Sequence, residues 1–200
     1  MAFIGLRYPV VATLSSHTDG SEPTYGTGKV IGHAITANLT ITRNDNPLYA
    51  DDRIVEDDNG ITAMSLELGV DDLTEEIQAY MLGTIKETTG SGTSAVDTYL
   101  DSDASAPDVG MGYIRVRRKA GVTSYQACWI YKAKFSFEDE STQTKGESIE
   151  WQTPTVTGRC VGISRGSTGR IDFRARQVFA SEAEAKAWLN TKANIATPTP

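Results

Sequence analysis

Two runs in this chain, Ala34 to Thr42 and Ile61 to Val70, alternate apolar and polar side chains with a period of two. In the first, Ile35, Ala37, Leu39 and Ile41 oppose Thr36, Asn38, Thr40 and Thr42. In the second, Met64, Leu66, Leu68 and Val70 oppose Ser65, Glu67 and Gly69. Such a pattern fits neither a helix nor a strand buried on both faces. It predicts a sheet with one face against a core and the other in water. A third run, Val122 to Phe137, carries Tyr125, Trp129, Tyr131, Phe135 and Phe137 at odd positions. That spacing predicts an aromatic core face with Trp129 and Phe135 as anchors, and Gln126, Cys128, Ile130, Lys132 and Lys134 facing outward. Gly112 to Lys119 pairs with it as a hairpin about Ala120-Gly121.

Further strands are expected at Glu147 to Thr157, Arg159 to Ile163 and Arg170 to Phe179. The period changes at Asp71 to Leu82, where Leu73, Ile77, Tyr80 and Met81 share a helical face. Asp71 or Asp72 is the expected cap and Gly83 the stop. Ser181 with Glu184 forms a capping box that opens a second helix through Asn190, anchored by Ala185 and Trp188. Residues 43–60 are crowded with Asn and Asp and are too long and polar for a tight turn, so they are expected to project as a loop. Residues 84–109 offer little to bury and read as a mobile loop. Residues 195–200, rich in Pro and Thr, read as a loose tail. With no internal repeat and no linker between two cores, residues 1–200 read as a single mostly-β domain with two helices.

Composition narrows the function. Of 200 residues, 19 are Lys or Arg and 26 are Asp or Glu, a net charge of −7. Gripping nucleic acid requires the opposite balance. The one basic run, Arg115, Arg117, Arg118 and Lys119, sits beside Tyr113 and Tyr125, which would suit single-strand stacking. Against so acidic a chain, a solvated hairpin arm or an interface meeting acidic loops is the better reading. Cys128 and Cys160 lie within strands and are expected to be buried free thiols. Met1 to Val10 lacks the basic start and long apolar run of a leader, and no stretch reaches the length of a membrane span.

The constellations of catalysis are not found in the sequence, so no enzyme, metal or cofactor is expected. Gly26-Thr27-Gly28-Lys29-Val30-Ile31-Gly32 has Val30 where a phosphate loop needs Ser or Thr, and its glycine spacing misses the dinucleotide fingerprint. His17 and His33 have no partner at metal-ligand spacing. No nucleophile-elbow sequence occurs.

Three segments resemble one family. Gly5-Leu6-Arg7-Tyr8-Pro9-Val10 is similar to the opening of major tail proteins from long-tailed phages of Gram-positive bacteria. Asn44-Asp45-Asn46-Pro47-Leu48-Tyr49-Ala50-Asp51-Asp52 is the most distinctive match. The third is Trp129 to Ser136, followed by Thr144 to Pro154. The resemblance implies a two-sheet β-sandwich or barrel of the tail-tube type, with a short flanking helix and a C-terminal helix. It implies six copies closing into a ring, and rings stacked around a channel through which DNA is ejected. If four strands from each of six copies join, about 24 strands at ~4.8 Å give a backbone diameter of roughly 37 Å. The partners implied are further copies, the tape measure protein, the tail terminator and the distal tail or baseplate proteins. The location implied is the virion tail, with no membrane.

On that basis Asn44, Asp45, Asn46, Pro47, Leu48, Tyr49, Asp51 and Asp52 are expected to contact a neighbouring subunit or ring. Thr36, Asn38, Thr40, Ser65 and Glu67 are expected to line a neutral to negative lumen. Two other readings stand beside this one. They are the inner-tube protein of a contractile secretion or tailocin system, and a solitary ligand-binding β-sandwich with an exposed aromatic platform.

Overall fold

The computed structural model describes residues 2–103, 105–137, 144, 152–167 and 169–196. Its strands are β1 (Ala2–Ser16), β2 (Thr24–Tyr25), β3 (Lys29–Val30), β4 (Ala34–Arg43), β5 (Asn46–Ala50), β6 (Arg53–Asp58), β7 (Ile61–Val70), β8 (Ile85–Thr89), β9 (Val96–Leu100), β10 (Val109–Lys119), β11 (Val122–Phe137), β12 (Thr155–Cys160), β13 (Ile163–Ser164), β14 (Ile171–Asp172) and β15 (Arg174–Phe179). The helices are α1 (Glu75–Leu82) and α2 (Glu182–Ala193). The protein is mostly β with two helices, as the periodicity predicts.

Nine strands form one antiparallel sheet in the order β2-β1-β10-β11-β12-β7-β4, with β3 added to β1 and β15 to β11. The expected sandwich arises because this sheet folds over on itself until β1 packs against β4. Inside the fold lies a core of Val11, Met64, Leu66, Leu68, Met111, Tyr113, Ile130 and Phe135, capped by Met81 and Leu82 of α1. Outside it, α2 lays Ala185, Leu189 and Ala193 over Val10, Ile114, Ala127, Trp129 and Tyr131. The β10–β11 ribbon is therefore buried on both faces.

This corrects the outward face expected for β11, since Cys128 and Ile130 are fully buried. The cause is cover on both faces, and beyond Ile130 a bulge then exchanges the two faces. Met111 pairs with Ile130 but Val109 with Ala133, so Gly110 of β10 faces two residues of β11, Tyr131 and Lys132. The extra residue inverts the side-chain parity. Trp129 and Tyr131 thus lie under α2, whereas Ala133 and Phe135, of the same odd parity, enter the inner core. Gly112 makes the close packing of α2 possible, because a Cβ there would come within 2.7 Å of Leu189 and 2.8 Å of Trp129.

The ladder of β1 shifts by one residue at Tyr8-Pro9, where Tyr8 takes φ 55°. The Pro9 carbonyl accepts a bond from the Ile31 N–H at 2.9 Å instead of joining the ladder. Helix α1 is capped by Thr74, whose hydroxyl accepts from the Ile77 N–H, not by Asp71 or Asp72; Gly83 stops it at φ 87°. Asp71 instead binds the His33 backbone N–H at 2.5 Å and its Nδ1 at 2.7 Å. The capping box of α2 is present, and the helix runs three residues past Asn190.

The segment expected as a mobile loop, 84–109, contains the β8–β9 hairpin. Its strands hold each other through Lys86–Asp97 at 2.7 Å and Thr88–Asp97 at 2.7 Å. In the expected loose tail, the Ile195 N–H donates to Asn190 at 2.9 Å; residues 197–200 lie outside the described residues. So do residues 147–151 of the strand expected at Glu147 to Thr157, whose remaining end opens β12.

Candidate functional site

The expected inter-subunit loop is a hairpin arm. Arg43 faces Ile61, the Asn44 N–H donates to the Gly60 carbonyl at 2.8 Å, and Asn46 faces Asp58, so the β4–β7 ladder runs on into β5–β6. The arm turns at Asp51-Asp52, with φ of 49° and 57°. Left-handed conformation at both central residues is a type I′ turn, which matches the twist of the strands. Asp tolerates it better than most residues. From Arg43 to the turn the arm spans about 27 Å at ~3.4 Å per residue.

Leu48, Tyr49, Ile54 and Val55 on this arm are 56–65% exposed. Tyr49 faces Ile54 across one side, and Leu48 faces Glu56 across the other. Both sides thus carry apolar surface, and neither strand packs substantially on any other element among the described residues. Isolated two-stranded hairpins are marginal in water, so these residues have little to gain unless something covers them.

The five residues expected to line a lumen do share one face. Asn38 sits opposite Glu67, with its Nδ2 donating to Oε1 at 3.1 Å; Thr40 sits opposite Ser65 and Thr36 opposite Gly69. Ala37, Leu39, Ile41, Met64, Leu66 and Leu68 point the other way, into the inner core. The same polar face continues into Thr155, Thr157 and Arg159 of β12, and Lys134 and Ser136 of β11. Among the described residues of this face Arg159 and Lys134 stand against the single Glu67, so its charge is neutral to basic and not the expected neutral to negative. Sequence periodicity within one strand carries no information about which side chains arrive from the neighbouring strand.

Strand β4 closes this end of the sheet, and its outer edge has no partner among the described residues. A long edge of unpaired N–H and C=O groups is a template for another chain unless a device protects it. Its side chains, short and mostly neutral, provide no such device.

The segments Gly5 to Val10, Asn44 to Asp52 and Trp129 to Ser136, singled out in the sequence, all fall on irregular backbone. The first holds the Tyr8-Pro9 bulge, the second the Asp51-Asp52 turn, and the third the β11 bulge. Residues 145–151, in the stretch that follows the third, lie outside the described residues. No known protein family matches the chain, and no curated protein does.

Burial pushes the Cys128 thiol up, and the Cys160 thiol up to about 11; both are free. Burial likewise pushes Tyr113 up to about 12. The His33 backbone N–H, then its ring, hold Asp71 below the usual carboxylate range. His17 Nε2 lies 3.0 Å from the Ser164 carbonyl. Among the described residues no three His, Cys, Asp or Glu side chains gather as a metal site, and no helix is long and apolar enough to cross a membrane. An open cleft of about 750 Å³ is lined by Leu82, Asp101, Lys132, Lys134, Phe135 and Arg159. Phe135, the one aromatic side chain lining it among the described residues, is 1% exposed.

Proposed function

We propose that this chain is the repeating, non-catalytic subunit of a phage tail tube. Six copies close into a ring, and rings stack around a channel that DNA traverses without specific binding. The observation that carries the reading is the β4–β7 hairpin with its β5–β6 extension. At its base lies an open sheet edge. At its far end lies an arm with apolar side chains exposed on both sides and no substantial packing on another element among the described residues. A solitary domain derives no stability from either feature, whereas an assembly uses both. Edge pairing joins sheets across copies, and the arm buries Leu48, Tyr49, Ile54 and Val55 against a neighbour.

In this reading Thr36, Asn38, Thr40, Ser65 and Glu67 face the channel. Short hydroxyl and amide side chains there offer phosphates no strong grip. Arg159 and Lys134, if on the wall, would have to be answered by Glu67 or by acids of an adjacent copy, because each phosphate captured adds counterion-release free energy that opposes ejection. The tape measure protein, tail terminator and distal tail or baseplate proteins would be the other partners, and the virion tail the location.

Negative-stain microscopy of the purified chain over a wide concentration range tests this. Rings or tubes with a central channel are expected. A chain that stays monomeric at every concentration, in low and high salt, would overturn the reading.

A further inference from the structure

At the end of the ribbon away from the inner core, β1, β10, β11 and β15 form a four-strand layer. Helix α2 covers one face of it through Ile114, Ala127, Ala175 and Phe179. The other face carries arginines. The ladder places Phe3 opposite Arg117, Leu6 opposite Arg115, Arg115 opposite Gln126, Cys128 opposite Arg176 and Ile130 opposite Arg174. Partners directly opposite one another share a face. Arg115, Arg117, Arg174 and Arg176 therefore converge on one surface.

No carboxylate among the described residues lies within ion-pair distance of Arg115, Arg174 or Arg176. The Arg115 guanidinium stacks 4.1 Å from the Phe3 ring centre, and its Nε is buried without a hydrogen-bond partner. Burial, with the neighbouring Arg176 charge, pulls Arg174 below the usual guanidinium range. Phe3 and Val178 flank the cluster, each about half exposed. Arg115, Arg174 and Arg176, like charges held together with no carboxylate beside them among the described residues, favour an acidic partner.

The carboxylates stand on the other projecting end of the molecule. The arm between residues 44 and 58 carries Asp45, Asp51, Asp52, Glu56, Asp57 and Asp58 against the single Arg53. It also carries the uncovered Leu48, Tyr49 and Ile54, which suit a surface bearing Phe3 and Val178. The arm does not pack on the arginine face of its own chain.

We propose that the arginine face of the β1–β10–β11–β15 layer receives the acidic β5–β6 arm of a second copy. The contact is heterologous, one patch meeting a different patch, and so propagates a ring or stack instead of stopping at a dimer. It rests on the tube reading only in taking the partner to be this same chain.

Charge reversal tests it. Arg174→Glu with Arg176→Glu, or Asp51→Lys with Asp52→Lys and Glu56→Lys, should each raise the concentration at which assemblies sediment at least about tenfold. All five substitutions in one chain should bring it back to within about threefold of the original, since every copy then offers the reversed pair. Near-ultraviolet dichroism reports that each variant is folded. Independently, Asp52→Cys with Arg176→Cys should give a disulfide-linked ladder on oxidation, and neither single variant should. Normal assembly of either reversed variant overturns the docking and leaves the tube reading standing. So does failure of the folded five-substitution variant to assemble, or failure of the cysteine pair to cross-link where the parent assembles. A wild-type chain that never assembles overturns both. Binding of a labelled duplex by the wild type, lost on reversing Arg174 and Arg176, would make the face a nucleic-acid surface and overturn the docking.

Discussion

The molecule contains two long hairpins of similar covalent design and opposite fate. The β10–β11 ribbon and the β4–β7 hairpin with its arm are both antiparallel, both carry a bulge, and both close on two residues of positive φ, Ala120-Gly121 in one and Asp51-Asp52 in the other. Turn and register chemistry therefore does not distinguish them. Burial does. The middle of the ribbon is packed on both faces, with Trp129, Ile130 and Tyr131 almost wholly excluded from water, whereas Tyr49 on the arm is 65% exposed. Hairpin geometry is local, but the free energy that holds a hairpin comes from what covers it. In the ribbon the cover is intramolecular. The arm has no comparable cover among the described residues.

Truncations in the ribbon give the largest expected effects. Trp129→Ala and Phe135→Ala should each cost about 3–5 kcal/mol in denaturant unfolding. They lie six residues apart, about 20 Å along the strand, and the bulge sends them to different cores. Their costs should therefore add to within about 0.5 kcal/mol. Coupling well above that would mean one shared core and would contradict the division made by the bulge.

The thiols sharpen the same contrast kinetically. Cys128 and Cys160 are buried in the ribbon and its neighbour β12, with their pKa values pushed up. At neutral pH they should react with a disulfide reagent at least about a hundredfold more slowly than in the unfolded chain, and the rate should track global opening. A cysteine placed at Leu48 should react as freely as a peptide thiol in the unassembled protein. Fast reaction of Cys128 with the fold intact would break the comparison.

On the arm, Leu48→Ala, Tyr49→Ala and Ile54→Ala should each leave monomer stability within about 0.5 kcal/mol. A larger loss would show that the arm is packed against its own chain.

Acid has the smallest effect. Asp97 is held below the usual carboxylate range by Lys86 and then Thr88, all within the β8–β9 hairpin. A depressed folded pKa contributes stability that is present above the ordinary value and is lost as pH falls through the lowered one. Amide exchange between about pH 5 and pH 2 should therefore show β8–β9 loosening before the ribbon. Simultaneous loss of both would rule out a local role for Asp97.

How much of this was legible in the sequence follows the same division. Single-faced strands, β4 and β7, announce themselves by alternation, and α2 by its capping box. Strand β1 was missed because the bulge at Tyr8-Pro9 resets its parity and Val10-Val11-Ala12 is buried on both faces. The arm and β8–β9 were read as loops because Asn, Asp, Pro and exposed Thr are depleted in strands that bury a face. Neither hairpin has such a face within its own chain. The arginine face could not be seen at all. The run Arg115 to Lys119 was visible, but Arg174 and Arg176 reach it only through the pairing of β15 with β11. The alternation within β4 and β7 groups Thr36, Asn38, Thr40, Ser65 and Glu67 on one face, while Arg159 and Lys134 beside them come from strands far away in sequence.

The central claim is that the ribbon holds the fold and the arm holds the assembly. Deleting Asn46 to Glu56 tests it most directly, with thermal melting and electron microscopy on the same sample. The expected result is a melting temperature within about 3 °C of the parent and no rings or tubes at concentrations where the parent forms them. Normal tubes from the deletion, or a deletion that no longer folds, would contradict it.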